Sequence, residues 1–95
     1  MLKISFQPRS RAGHAVLTLE GQVAGQWVAE LRRSCDEYLG IARPLTIDLR
    51  DVTFIDRSGV AFFDEIYCHV TLVNCSLFAA EQLKPVIERH IRCHA

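Results

Sequence analysis

No run in the chain approaches the roughly 18 consecutive apolar residues of a membrane-spanning helix, and the opening segment MLKISFQPRS lacks the uninterrupted apolar core of a signal peptide. The expectation is a cytoplasmic protein with no membrane insertion. An excess of one charge is missing as well. Eleven basic residues balance eleven acidic ones for a net charge of +0, so no overall field draws the chain to nucleic acid or an anionic bilayer, and any partner must be recognised locally. Repeats, linkers and low-complexity segments are absent.

Several chemical signatures are missing too. There is no G-x-x-x-x-G-K-[ST] loop to cradle a nucleotide phosphate. A serine nucleophile elbow needs glycine two residues before and two after its serine, and around Ser58 those places hold Asp56 and Val60. His14, His69, His90 and His94 have no defensible placement relative to Ser58, so a hydrolase is disfavoured and a non-enzymatic protein without cofactor is expected. Cys35, Cys68, Cys75 and Cys93 lie in or beside apolar periodic segments, unlike the spaced loops of a disulfide scaffold, and read as small hydrophobes of a reducing compartment. His90-x-x-Cys93-His94 and Cys68-His69 resemble half-sites for zinc, but no second paired motif completes four ligands, and no metal is expected.

What is present is enough apolar residue, 49% of 95 positions, to bury the single core of one domain spanning 1–95. Leu2, Ile4 and Phe6 alternate with polar residues as a first strand. After a Pro8–Gly13 loop, Ala15, Leu17 and Leu19 form a second strand ending at Gly21, and the short loop predicts an antiparallel hairpin. Beyond Gly25 the period lengthens. Trp27, Val28, Leu31, Cys35, Tyr38 and Leu39 fall on one helical stripe, with Gly40 as its left-handed stop and Arg43-Pro44 as a break.

The organising stretch is Leu45–Val60, LTIDLRDVTFIDRSGV. It begins as a strand through Leu45, Ile47 and Leu49, and the strand-helix-strand order predicts that the second and third strands run parallel with a right-handed connection. Asp56-Arg57-Ser58-Gly59 then precedes an apolar run at helical spacing, Val60, Phe63, Ile66, Tyr67 and Val70. This places Ser58 at a helix N-terminus, where unpaired N–H groups and the helix dipole welcome an anion. Ser58 is either a simple cap or a hydroxyl able to carry a phosphate. Asn74 reads as a turn, Cys75–Ala79 as a fourth strand with Leu77 on the core face, and Leu83, Val86, Ile87 and Ile91 as a last helix with Pro85 in its first turn. The fold class is α/β in two layers, a four-stranded mixed sheet with helices on one face and a more polar opposite face, in the order β-β-α-β-α-β-α.

The pattern L-x-L-x-G at Leu17–Gly21, the strand LTIDL, and V-T-F-I-D-x-S-G from Val52 to Gly59 together resemble a STAS domain, the fold of bacterial anti-sigma factor antagonists and of the cytoplasmic tail of sulfate transporters. The resemblance covers essentially the whole chain. It implies partner switching, in which the unmodified antagonist binds an anti-sigma factor that is also a kinase, and phosphorylation by that kinase ends the binding. By motif position the phosphoacceptor falls on Ser58, and the implied partner surface is Asp56, Arg57, Ser58, Gly59 and Phe62. Phe62 either projects as an apolar anchor or packs in the core beside Phe63. Arg57 departs from the small residue that the family commonly carries between the aspartate and the serine. Small STAS proteins also resemble the accessory subunit that docks on the ATPase of bacterial lipid-transporting ABC systems, a second possibility for the partner.

Overall fold

The computed structural model describes residues 2–8, 15–41 and 45–94, without the side chains at 39, 41 and 91–94. Most of the Pro8–Gly13 loop, the Arg43-Pro44 break, His14, and the side chains of Leu39, Ile91, Cys93 and His94 lie outside the described residues. Strand β1 (Leu2–Gln7) pairs antiparallel with β2 (Ala15–Val23), β2 pairs parallel with β3 (Leu45–Ile55), and β3 pairs parallel with β4 (Val70–Val73), so the sheet order is β1-β2-β3-β4. Helix α1 (Gln26–Ile41) links β2 to β3. Helix α2 (Arg57–Ile66) and a 3-10 turn (Tyr67–His69) link β3 to β4, and α3 (Leu77–His94) follows.

Alternation sorts the two faces of the sheet. Register places Phe6, Leu17, Ile47 and Leu72 in one cross-strand row, while the neighbouring row reads Ser5, Thr18, Asp48 and Val73. The first row belongs to a continuous core completed by Val28, Leu31 and Cys35 of α1, Phe62, Phe63 and Ile66 of α2, and Ala79, Leu83 and Val86 of α3. The helices therefore cover the apolar face and leave the polar one outward, as the strand patterns imply. Tyr38 of α1 stacks on Phe6 of β1 with ring centroids 3.9 Å apart and planes within 6°.

Strand β3 changes its period halfway along. Thr18 pairs with Asp48 and Glu20 with Asp51; Gly21 pairs with Val52 and Gln22 with Phe54, so β3 inserts one extra residue at each of two bulges. Buried apolar positions consequently shift from every second residue, at Leu45, Ile47 and Leu49, to every third, at Val52 and Ile55. Gly21 accommodates the irregularity with φ +105° and its carbonyl accepts from Thr53 Oγ1 at 3.2 Å, so β2 runs through this glycine to Val23 instead of stopping there.

The last third of the chain corrects the sequence reading at three points. The fourth strand is Val70–Val73, not Cys75–Ala79. This β-branched run pairs with Leu45–Asp48, whereas Asn74, at φ +56°, turns the chain and donates to Asp48 Oδ2 at 3.1 Å. Ser76 Oγ then accepts from Ala79 N at 3.1 Å, capping α3, so Leu77–Ala79 is a first helical turn and Leu77 is 94% exposed rather than in the core. Because α3 starts so early, Pro85 sits inside the helix and not in its first turn. Its ring withholds the N–H that the Glu81 carbonyl would otherwise receive, and since Glu81 and Pro85 are both exposed, water can serve that carbonyl. Gly40 is likewise no stop, for it lies within α1 without a positive φ.

Candidate functional site

The junction of β3 and α2 is assembled around one carboxylate. Asp56, with φ −87° and ψ −178°, is the extended residue that caps α2. Its Oδ1 accepts from Gly59 N at 2.8 Å and from Ser58 Oγ at 2.7 Å, and its Oδ2 accepts from Gly25 N at 2.9 Å. Its own N–H donates to the Val23 carbonyl at 3.1 Å. One side chain thus fastens the ends of the parallel strands β2 and β3, and the starts of the helices that follow each, into a single unit. Gly25 reaches this contact with φ +56°, a conformation that glycine adopts without penalty.

These donors act on the ionisation of Asp56. The Gly25 N–H, then the Gly59 N–H and the Ser58 hydroxyl, stabilise the carboxylate and hold its pKa below the ordinary value. A carboxyl depressed in the folded state contributes stability that is fully present above its unfolded pKa of about 3.9 and is lost as pH falls through the lower folded value. Asp56→Ala is therefore expected to remove about 1–3 kcal/mol at neutral pH. In urea titrations the gap between wild type and variant should close as the pH drops below about 4. A gap independent of pH would mean that the cap works without its charge.

Of the residues that the motif singles out, Asp56, Arg57, Ser58 and Gly59 are brought together at this turn. Ser58 stands in the first turn of α2, exposed, but the cap is Asp56 and the Ser58 hydroxyl donates to it. Arg57 is exposed beside it, while Gly59 is buried against β2. Phe62 does not join this surface. It is 1% exposed, tilted against Phe63 at 5.6 Å, with the Arg32 guanidinium 5.1 Å above its ring and Arg32 itself paired to Glu65. The Phe62 anchor is thus corrected to a core residue, because α2 lies between α1 and α3 and buries two adjacent positions.

Exposed aromatic surface appears elsewhere. Phe54 and Phe78 are 43% and 42% exposed with ring centroids 6.4 Å apart, and Leu77 next to Phe78 is almost fully exposed. Phe54 lies on β3 two residues before Asp56, past the end of the pairing with β4. Sequence reasoning missed it, although the three-residue spacing of Val52 and Ile55 leaves Phe54 outside. Among the described residues no group of three or more His, Cys, Asp or Glu side chains is placed to hold a metal ion. No helix among them is long and apolar enough to cross a membrane.

A mixed four-stranded sheet with helices on one face, and a strand-to-helix turn that holds an exposed serine beside a capping aspartate, define a small α/β module whose distinctive feature is that turn. The family model for the STAS domain matches residues 5–93, nearly the whole length, and the chain belongs to the STAS domain family. Comparison with curated proteins gave no match.

Proposed function

We propose that this chain is a non-enzymatic, cytoplasmic regulatory module, an anti-sigma factor antagonist that acts by partner switching under control of Ser58 phosphorylation. The observation that carries the reading is the placement of Ser58: an exposed hydroxyl in the first turn of α2, donating to Asp56 Oδ1 at 2.7 Å. A phosphate ester has no hydroxyl proton, so modification removes that hydrogen bond and sets nearly two negative charges beside the Asp56 carboxylate. The N–H groups of the first helical turn and the neighbouring Arg57 offset part of that repulsion, leaving the fold intact while the charge of the exposed turn changes. A partner that must dry this surface on docking then meets a dianion.

In this reading the partner is an anti-sigma factor with kinase activity, contacting Asp56, Arg57 and Ser58, with Phe54 in place of Phe62 as the apolar element beside them. Copurification from the native cell identifies the partner. Against it, Ser58→Ala should bind like wild type but resist switching, and Ser58→Asp should weaken binding by about 30-fold or more, equivalent to about 2 kcal/mol. Equal affinity of the two variants refutes the switch. One observation favours a second reading, docking on the ATPase of a lipid-transporting ABC system without phosphorylation: Arg57 puts a long cation where a kinase of this family meets a small residue. An ATPase and permease encoded beside the gene, in place of a sigma factor and its kinase, would decide for that reading.

A further inference from the structure

The 3-10 turn after α2 meets α3 through a cluster that the binding role does not use. Cys68, exposed in this turn, has its Sγ 3.5 Å from His90 Nδ1. The other ring nitrogen, His90 Nε2, lies 3.0 Å from Asp64 Oδ1 and 3.2 Å from the Asp64 carbonyl oxygen. Both of those atoms accept from the ring, which assigns a proton to Nε2 and leaves Nδ1 as the nitrogen that faces the thiol. The ring is held in place on other sides as well. Tyr67 stacks on it with centroids 4.5 Å apart and planes within 19°, and Arg89 pairs with the same Asp64 carboxylate. Thiol, imidazole and carboxylate thus stand in the order in which a base activates a sulfur nucleophile and a third group orients the base.

We propose that Cys68 is a site of covalent modification, a nucleophilic thiol that hydroperoxides oxidise to a sulfenic acid, with His90 as its base and Asp64 as a positioning residue. His90 Nδ1 takes the thiol proton, and the sulfur attacks one oxygen of the peroxide. The S–O bond forms as the O–O bond breaks; the sulfur gives up two electrons, and the departing hydroxide collects the proton from His90 and leaves as water. Thiol and hydrogen peroxide become sulfenic acid and water, and no other reactant is required.

Two other cysteines provide the internal comparison. Cys35 is buried in α1, and burial, with Asp36 nearby, pushes its thiol up to about 12. Cys75 is half-buried and shifted upward by the same desolvation. Both are shielded from solvent to a degree that Cys68 is not, and among the described residues neither has the histidine contact that Cys68 makes.

The test exposes the intact, pre-reduced protein to hydrogen peroxide with dimedone as the sulfenic acid trap and maps the label by peptide mass spectrometry. Cys68 is expected to label about tenfold or more faster than Cys35 and Cys75, and about tenfold or more faster in the folded protein than in the same chain unfolded by urea. His90→Gln should abolish that advantage. Asp64→Asn should reduce it and Asp64→Glu restore it at equal melting temperature, a rescue that a purely structural contact does not produce. If Cys68 labels no faster in the folded wild-type protein than in urea, the proposal is overturned, and that comparison stands whether or not the variants fold.

Discussion

Phe62→Ala is expected to lower the unfolding free energy by about 3–5 kcal/mol, the loss typical of a fully buried aromatic ring. The ring is 1% exposed, lies 5.6 Å from Phe63 and sits beneath the guanidinium of Arg32. Its removal opens a cavity between α1 and α2, which the surrounding side chains fill poorly. Arg32 is tied to Glu65 at the surface, and moving its charge into the gap would be unfavourable. Set against a total stability of about 5–15 kcal/mol for domains in general, this brings the fold near its margin. Thermal unfolding should show a drop in midpoint on the order of 20 °C. The same variant discriminates between the two roles that the motif left open for this residue. A loss below about 1 kcal/mol together with weakened partner binding would make Phe62 a surface anchor.

Gly59→Ala and Gly40→Ala are expected to act in opposite directions, although both glycines lie in helices. Alanine at an exposed helix position ordinarily stabilises by about 0.5–1 kcal/mol, because it restricts the unfolded chain. At Gly40, where an added Cβ meets nothing within 4 Å, that gain should be realised. At Gly59 the Cβ would lie 2.5 Å from the Val23 carbonyl oxygen, 2.9 Å from Ile55 Cγ2 and 3.1 Å from Val23 Cγ1. The carbonyl cannot yield freely, since it accepts the Asp56 N–H at the cap of the same helix. Either α2 lifts from β2 or the cap opens, and the expected loss is about 3 kcal/mol. Urea unfolding of the two variants checks both signs. A neutral Gly59→Ala would show that α2 can slide without disturbing Asp56.

The first half of the fold was legible because long elements carry their period openly. The alternations of β1 and β2 and the stripe of α1 need few assumptions, and the strand, turn and helix around Ser58 follow from apolar spacing on both sides of a polar turn. The second half was not. Val70–Val73 and Cys75–Ala79 are both short apolar runs, too brief for periodicity to decide between strand and helix. Hydrogen bonding settles the choice, because the open edge of β3 takes up the first run, and Ser76 caps a helix over the second. The exposure of Phe54 depends on two inserted residues in β3, visible only once that strand is laid against β2.

The site divides along the same line. Asp56, Ser58 and Gly59 are read together from consecutive positions, but the third donor to Asp56 is Gly25, 31 residues earlier, and spacing alone does not reveal it. Cys68 and His90 each stood out as half of a different ligand pair, with His69 and with Cys93-His94. The fold instead joins Cys68 to His90 across the 3-10 turn and α3. By itself the sequence determined the order of strands and helices, the polar and apolar faces of the sheet, and a serine in the opening turn of the second helix. These rest on local periodicity and on interactions within a few residues. Tertiary structure alone decided which phenylalanines are buried, where the last strand lies and which side chains meet around Asp56 and His90, because those outcomes depend on contacts between segments that only packing brings together.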